Sequence, residues 1–384
     1  SAAGYRAPQR PHLDMRAAAA LLARERGAVL AYGDFPLPLE CRTAPAAALS
    51  NAPRSGARII DAAAERPEGD RTPFRAVPAQ MLAELGRATA KGGRAAVLAA
   101  RKGYAPAVVC RDCGTAVRDE AGRALSFSMA RGERVFRSAD GATVRGADKT
   151  CDRCGSWNLL PLGIGVERVA EELRESLPDA KIFMLDAETI RTPAAVRRAA
   201  ARIEEPGTVV VGTEAMLPLL DPASELQYAA IASADSLLAL PFWRARERFV
   251  HAGLTLLDRA QRVSVATRRT DDTAVQMVAD PSADAFFAEE SAQRKALGYP
   301  PFGHLLVFHA EASPAKVAEA ARLIERALDG AAHTRLPDRP VRTRARLSVV
   351  AKLGQDAWPD RKLSARLAAL PPWISVAIDT ESLW

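Results

Sequence analysis

The chain has 384 residues, 48% of them hydrophobic and 26% charged, with 53 Lys and Arg against 46 Asp and Glu for a net charge of +7. That is the length of two or three ordinary globular domains, which excludes wholesale disorder, and no uninterrupted apolar run approaches the ~18 residues of a membrane span. Five cysteines are too few to staple a chain of this size, and no basic-then-apolar leader opens it, so the composition predicts a soluble, cytoplasmic, mildly basic protein.

Residues 1–11 read as a loop entering mid-domain, without an initiator Met. Residues 14–26 have the apolar spacing of a helix, with Asp14 as N-cap and Gly27 as stop. A short strand is predicted at 28–31, running into the turn Gly33-Asp34-Phe35-Pro36, and the Ala-, Pro-, Ser- and Asn-rich stretch 43–57 reads as a linker. Beyond it the pattern alternates: helix 79–90, strand 95–99, helix 166–176, strand 182–184, helix 193–203, then short apolar strands at 208–211 and 229–232. Such alternation predicts a parallel sheet with helices on its faces. Between Cys110 and Cys154 the turn signals Asp119-Glu120-Ala121-Gly122 and Asp140-Gly141 predict a β-hairpin or two. After about residue 281 come strand 305–310, helix 314–328, strand 341–351, helix 362–370 and strand 373–378, the mixture of a small α+β domain.

Cys110-Arg111-Asp112-Cys113 and Cys151-Asp152-Arg153-Cys154 are two C-x2-C pairs, each followed by a glycine. The spacing lets both thiolates of a knuckle face one ion, while the glycine frees backbone amides to bond sulfur. Two knuckles make a tetrahedral S4 site, the closed arrangement of a structural zinc. Two independent redox pairs are the other reading. Cys41 stands alone and reads as a small core residue, and His12, His251, His304, His309 and His333 show no ligand spacing.

Around the knuckles the chain resembles a known family. Ala100-Arg101-Lys102-Gly103-Tyr104-Ala105-Pro106 is similar to the N-R-R-G-Y-A/S-P lead-in of the PriA family of primosomal replication-restart proteins. Gly163-Ile164-Gly165-Val166-Glu167-Arg168-Val169-Ala170-Glu171-Glu172-Leu173 resembles its G-x-G-T-E-R-V-x-E-E-L stretch, and Gly212-Thr213-Glu214-Ala215-Met216-Leu217 its G-T-Q-M-L motif. Pro241-Phe242-Trp243-Arg244-Ala245-Arg246-Glu247-Arg248 matches P-D-F-R-A-x-E-R apart from Phe242, and residues 294–302 match R-K-x-x-x-Y-P-P-F.

The resemblance runs through nearly the whole chain in order and implies the C-terminal half of such a protein. Residues 1–56 would be the tail of helicase lobe one and a linker, 57–109 and 155–280 lobe two, 110–154 a zinc-binding insertion and 281–384 the C-terminal domain. The expected fold is therefore α/β: a parallel-sheet helicase-like lobe with an inserted β-rich zinc-binding subdomain, followed by a small α+β domain. The family's insertion carries eight cysteines and two zinc ions, the outer pairs sharing one. Residues 121–145 hold no cysteine here, so Cys110, Cys113, Cys151 and Cys154 are expected to bind a single structural zinc.

ATP-driven unwinding needs groups that cradle phosphates, hold Mg²⁺ and bring arginines to the γ-phosphate. The family's S-A-T motif falls near Tyr32-Gly33-Asp34, which lacks both hydroxyls, and its K-G-[HD] is replaced by Pro218-Leu219-Leu220-Asp221. Its arginine-finger motif Q-V-A-G-R-A-G-R aligns with residues 255–262: Arg259 and Arg262 keep their places, but Asp258 and Gln261 replace glycines. A carboxylate at Asp258 repels a triphosphate. These departures point to a pseudo-helicase without ATP chemistry. The rival reading is an active ATP-dependent 3′-5′ DNA helicase, and a third is an unrelated zinc-ribbon nucleic-acid-binding protein.

Arg244, Arg246, Arg248, Arg259, Arg262, Arg268 and Arg269 form a basic stretch beside Trp243 and Phe249. It reads either as a DNA-binding surface or as a solvated helix face whose arginines pair with Glu247 and Asp258. Phe127 and Phe136 read either as a wedge at a fork junction or as packing within a hairpin. The resemblance implies as partners forked or single-stranded DNA, the acidic C-terminal tail of single-strand-binding protein, other primosome proteins and a helicase loader, at the nucleoid. It also places Arg361, after Pro359-Asp360, where the family captures that tail.

Overall fold

The computed structural model describes residues 15–33, 36–42, 55–64, 75–100 and 107–380, apart from short breaks at 111, 114, 119–124, 131–132, 138–142, 146–147, 163, 187–188, 241, 342–343 and 359. The chain forms two compact units, one of Leu49–Phe286 and one of Ser1–Ala48 with Phe287–Trp384. Among the described residues no helix is long and apolar enough to cross a membrane.

Chain order opens with α1 (Met15–Arg26) and α2 (Leu39–Arg42), which belong to the second unit. The strand predicted at 28–31 is absent: among the described residues the segment has no pairing partner, and Val29 is fully exposed. Lone strands do not form, because half of their backbone groups would go unpaired.

The first unit follows as β1 (Arg58–Asp61), α3 (Ala79–Thr89) and β2 (Ala95–Leu98). An insertion then supplies β3 (Ala107–Cys110), β4 (Ser126–Ala130), β5 (Glu133–Arg137), β6 (Thr143–Arg145) and β7 (Leu159–Leu162). The main fold resumes with α4 (Val166–Ser176), β8 (Lys181–Leu185), α5 (Pro193–Ile203) and β9 (Thr208–Gly212). A 3-10 turn at Glu214–Leu219 leads to β10 (Tyr228–Ile231), α6 (Ala234–Leu238), α7 (Ala245–Arg259), β11 (Val263–Thr267) and α8 (Thr273–Ala279). Six strands make one sheet in the order β1-β11-β10-β2-β9-β8, parallel throughout. The runs AAVL, TVVVG, YAAI and VSVAT are buried at every position, as strands covered on both faces must be.

Alternate residues face alternate layers. Val97, Val209, Val211 and Ala230 pack with Met81, Leu85, Val169 and Leu173 of α3 and α4. Glu172, on α4, accepts the amides of Ala76 at 2.6 Å and Val77 at 3.3 Å, so the acidic end of the E-E-L motif anchors the loop before α3. Gly212 closes β9 where a side chain has no room: an added Cβ would lie 2.6 Å from the Leu185 carbonyl oxygen.

Within the insertion, β3 and β7 pair antiparallel and β4-β5-β6 form a separate sheet. Phe127 and Phe136 face each other with ring centroids 5.7 Å apart, buried with Val108, Val117 and Leu125. They are packing residues, so the fork-wedge reading of these two rings is corrected. The turns expected at 119–122 and 140–141 lie outside the described residues.

After α9 (Ala285–Leu297), the second unit comprises β12 (Gly303–Ala312), α10 (Pro314–Leu328), β13 (His333–Val341), β14 (Arg344–Gly354), α11 (Arg361–Ala368) and β15 (Ile374–Ile378). The sheet is antiparallel, ordered β13-β14-β12-β15, and α10 and α11 cover one face through Val317, Ile324, Leu363 and Leu367 against Leu306, Phe308, Val349 and Val376. The strand expected at 341–351 is β14, and its hairpin partner β13 is an additional strand that was not expected. Arg294, opening the R-K-x-x-x-Y-P-P-F motif, is buried on α9, where it pairs with Glu290 at 2.8 Å and Glu40 at 3.1 Å.

Candidate metal centre and basic stretch

The four knuckle cysteines converge: their sulfurs all lie within 4.8 Å of one another, with Cys110 and Cys154 at 3.5 Å and Cys113 and Cys151 at 3.6 Å. A tetrahedron with arms of ~2.3 Å has edges of about 3.8 Å, so the donor set fits one metal ion held by four thiolates. Among the described residues it is the only such cluster.

Local backbone explains the convergence. The amide of Cys110 bonds the Thr115 carbonyl at 2.9 Å, and the amide of Cys151 bonds that of Ser156 at 2.8 Å, closing two like turns. Gly155 takes φ +71, a left-handed value that a side chain would strain. The third residue of each knuckle then bonds the sixth of the other. Asp112 accepts the Ser156 hydroxyl, and Arg153 donates to the Thr115 hydroxyl at 3.1 Å. Asp112 also accepts from Asn158 at 2.9 Å, while Asp152 takes Lys149 and the Arg118 amide. This exchange was missed in the sequence, although the repeat C-x2-C-G-[Thr/Ser] carries its signal.

The electrostatics follow from these bonds. Hydrogen bonds from Ser156 and then Asn158 hold Asp112 below the ordinary carboxylate range. Burial pushes Asp152 up, but Lys149 and the Arg118 amide outweigh it and the net shift is down. The Thr115 hydroxyl and amide draw the Cys113 thiol down to about 6. The Ser156 amide pulls Cys154 the same way, yet hydrogen bonds with Cys110, Cys113 and Cys151 outweigh it and push it up to about 12. Thiols this close share protons; a divalent cation resolves the conflict by taking all four as thiolates.

The basic stretch is brought together largely as ion pairs. Arg244, 3% exposed, lies 3.3 Å from Glu247 and over the Trp243 ring. Arg246 binds Asp272 at 3.1 Å and the Thr273 hydroxyl at 2.7 Å, and Arg248 binds Glu214 at 2.9 Å. Arg259 pairs with Asp258, and Arg262 with Glu84 of α3, each at 2.5 Å. Arg262, Arg268 and Arg269 are the exposed arginines of the stretch, with the side chains of Arg262 and Arg269 at 52% and 64%. Asp272, buried, also caps α8 by accepting the Ala274 amide at 3.0 Å. Its place just before an apolar run was the readable N-cap signal. Arg361 is exposed at the first turn of α11, whose N-cap Asp360 accepts the Leu363 amide at 2.7 Å.

Fold and site together define a three-layer α/β lobe carrying a four-thiolate knuckle, joined in sequence to a small α+β domain. No family model matches the chain. It is similar to replication restart protein PriA of Synechocystis sp., 27% identical over 260 residues, 65% of this chain and 31% of that protein. Against PriA of Bacillus subtilis it is 26% identical over 269 residues, 67% of this chain and 33% of the relative. Against PriA of Thermotoga maritima it is 27% identical over 222 residues, 56% and 30%. The resemblance read from the motifs is borne out, and the chain spans about a third of the length of these relatives.

Proposed function

We propose that this chain serves replication restart as a fork-binding, primosome-nucleating module that does not use ATP. The restart role rests on the named relatives and on motifs running in order through both units. The observation that carries the non-hydrolytic reading is the state of the two arginines in arginine-finger register. Arg259 is tied to Asp258, where the family has glycine, and Arg262 to Glu84, so the lobe's own carboxylates occupy both. An arginine committed to a carboxylate is unavailable to a developing phosphoryl charge unless that pair breaks.

The metal is zinc, a single structural ion held by Cys110, Cys113, Cys151 and Cys154. Support comes from the S4 donor set and from the buried cluster of Val108, Val117, Leu125, Phe127 and Phe136, which gives the rest of the insertion an apolar core. DNA phosphates are met by the exposed Arg268 and Arg269, and by Arg262 once its pair with Glu84 opens, while Arg244, Arg246, Arg248 and Arg259 chiefly order α7 and its ends. Arg361, at the start of α11, receives the acidic tail of single-strand-binding protein, as in the family. Other primosome proteins and a helicase loader complete the partners, at nucleoid DNA in the cytoplasm.

Anisotropy titration of labelled forked DNA, with and without ATP, tests the reading. Binding that weakens steeply with salt, unchanged by ATP and without phosphate release, is expected. ATP turnover stimulated by the fork would overturn the non-hydrolytic reading, and failure to bind the fork at low salt would overturn the whole.

A further inference from the structure

The 244–269 stretch is largely neutralised from within, but another surface carries unopposed positive charge. α5 reads PAAVRRAAARI, three arginines and no carboxylate. Thr192 caps it by accepting the Ala195 amide at 3.2 Å, and Pro193 pre-sets its first turn. The helix buries Ala199 and Ile203 and leaves Arg197, Arg198 and Arg202 exposed.

Among the described residues none of the three forms an ion pair. The two carboxylates that follow the helix are engaged elsewhere, Glu204 by Arg94 and Ser224, and Glu205 by Lys181 at 3.3 Å. The acidic residues of α4 belong to the layer across the sheet. The Arg202 guanidinium lies 4.6 Å from the centre of the Phe183 ring on edge strand β8, which orients it without cancelling its charge. Ala194 and Ala201 are exposed beside the arginines and present no bulk to keep a large partner away.

We propose that α5 is a phosphate-contact helix that lies along duplex DNA; the inference rests on the fork-binding reading and assigns it a surface. Arg198 and Arg202 are one turn apart, about 6 Å along the axis. Duplex DNA carries a charge every ~1.7 Å, so such a stripe meets several phosphates at once. A duplex is favoured over a single strand because Arg202 lies over the Phe183 ring, the aromatic at this surface, and takes a face on which an unpaired base would stack.

The test compares the full chain with R197A/R198A/R202A, binding the same labelled DNA duplex over a series of salt concentrations. Alanine favours helix, so the fold is kept, with circular dichroism and metal content as controls. The triple variant is expected to bind at least about tenfold more weakly at low salt, and its log K against log salt slope should shrink by about 2 to 3. A triple Arg→Lys variant should retain most of the slope. If wild type binds DNA and the alanine variant matches it in affinity and slope, α5 is excluded while fork binding stands. If wild type binds no DNA at low salt, the fork-binding reading fails and the inference with it. Loss confined to duplex RNA would overturn the assignment to DNA.

Discussion

Asp272 Oδ2 lies 3.1 Å from Arg246 Nη1, between the start of α8 and the first turn of α7. The same carboxylate reaches Arg269 at 3.2 Å and caps α8, all from a buried position. Removing one partner from a buried pair leaves the other charge stranded and costs about 3–5 kcal/mol. Asp272→Ala is therefore expected to lower the unfolding free energy by about that amount in urea. Asp272→Asn keeps an acceptor for the Ala274 amide and should fall between wild type and alanine. An alanine variant as stable as wild type would show that the pair contributes nothing.

Zinc should bind at one equivalent per chain, measured by atomic emission after gel filtration. Cys110→Ser or Cys151→Ser removes a buried ligand from a site with no spare donor, and each is expected to lose the metal. Cys41→Ser, on α2 in the other unit, should leave it bound. Chelation should melt the insertion first, because its small apolar cluster is all that remains there, while the six-stranded sheet keeps its own core. Two equivalents would contradict the single-ion reading.

The parallel sheet and the knuckles were legible from sequence because their signals are local. Runs such as TVVVG, buried throughout, admit few alternatives to a central strand, and C-x2-C spacing fixes where two thiolates meet. The β13–β14 hairpin was hidden because Pro337 and Pro340 read as strand breakers, and proline is tolerated there only because β13 is an edge strand with a register shift between Leu336 and Arg339. The arginine partners were hidden for a different reason. Glu84, Glu214 and Asp272 are distant in sequence from Arg262, Arg248 and Arg246, and only the fold brings each carboxylate to its guanidinium. Composition counts charges without showing which are already spent on one another.

Arg294 gives a second stability prediction, in the other unit. Its guanidinium holds Glu290 at 2.8 Å, Glu40 at 3.1 Å and the Pro300 carbonyl at 3.4 Å while almost wholly buried. An ammonium has no planar fork to reach three partners at once, so Arg294→Lys should destabilise nearly as much as Arg294→Met. Both are expected to cost about 3 kcal/mol or more in chemical denaturation. A lysine variant with wild-type stability would show that charge alone suffices.

Glu84 links stability to the proposed function. Its carboxylate pairs with Arg262 at 2.5 Å and with Arg87 at 2.6 Å, and both arginine side chains are more than half exposed. Exposed pairs contribute roughly 0–1 kcal/mol, so Glu84→Gln should barely change the unfolding midpoint. It removes a negative charge beside two cations, however, and releases Arg262 toward any phosphate that approaches. Fork affinity at low salt should rise a few-fold, with a slightly steeper salt slope. Combining Glu84→Gln with Arg262→Ala should abolish the gain if Arg262 is the group released. A gain that survives in the double variant would assign it to Arg87 or to net charge and would remove Arg262 from the contact surface.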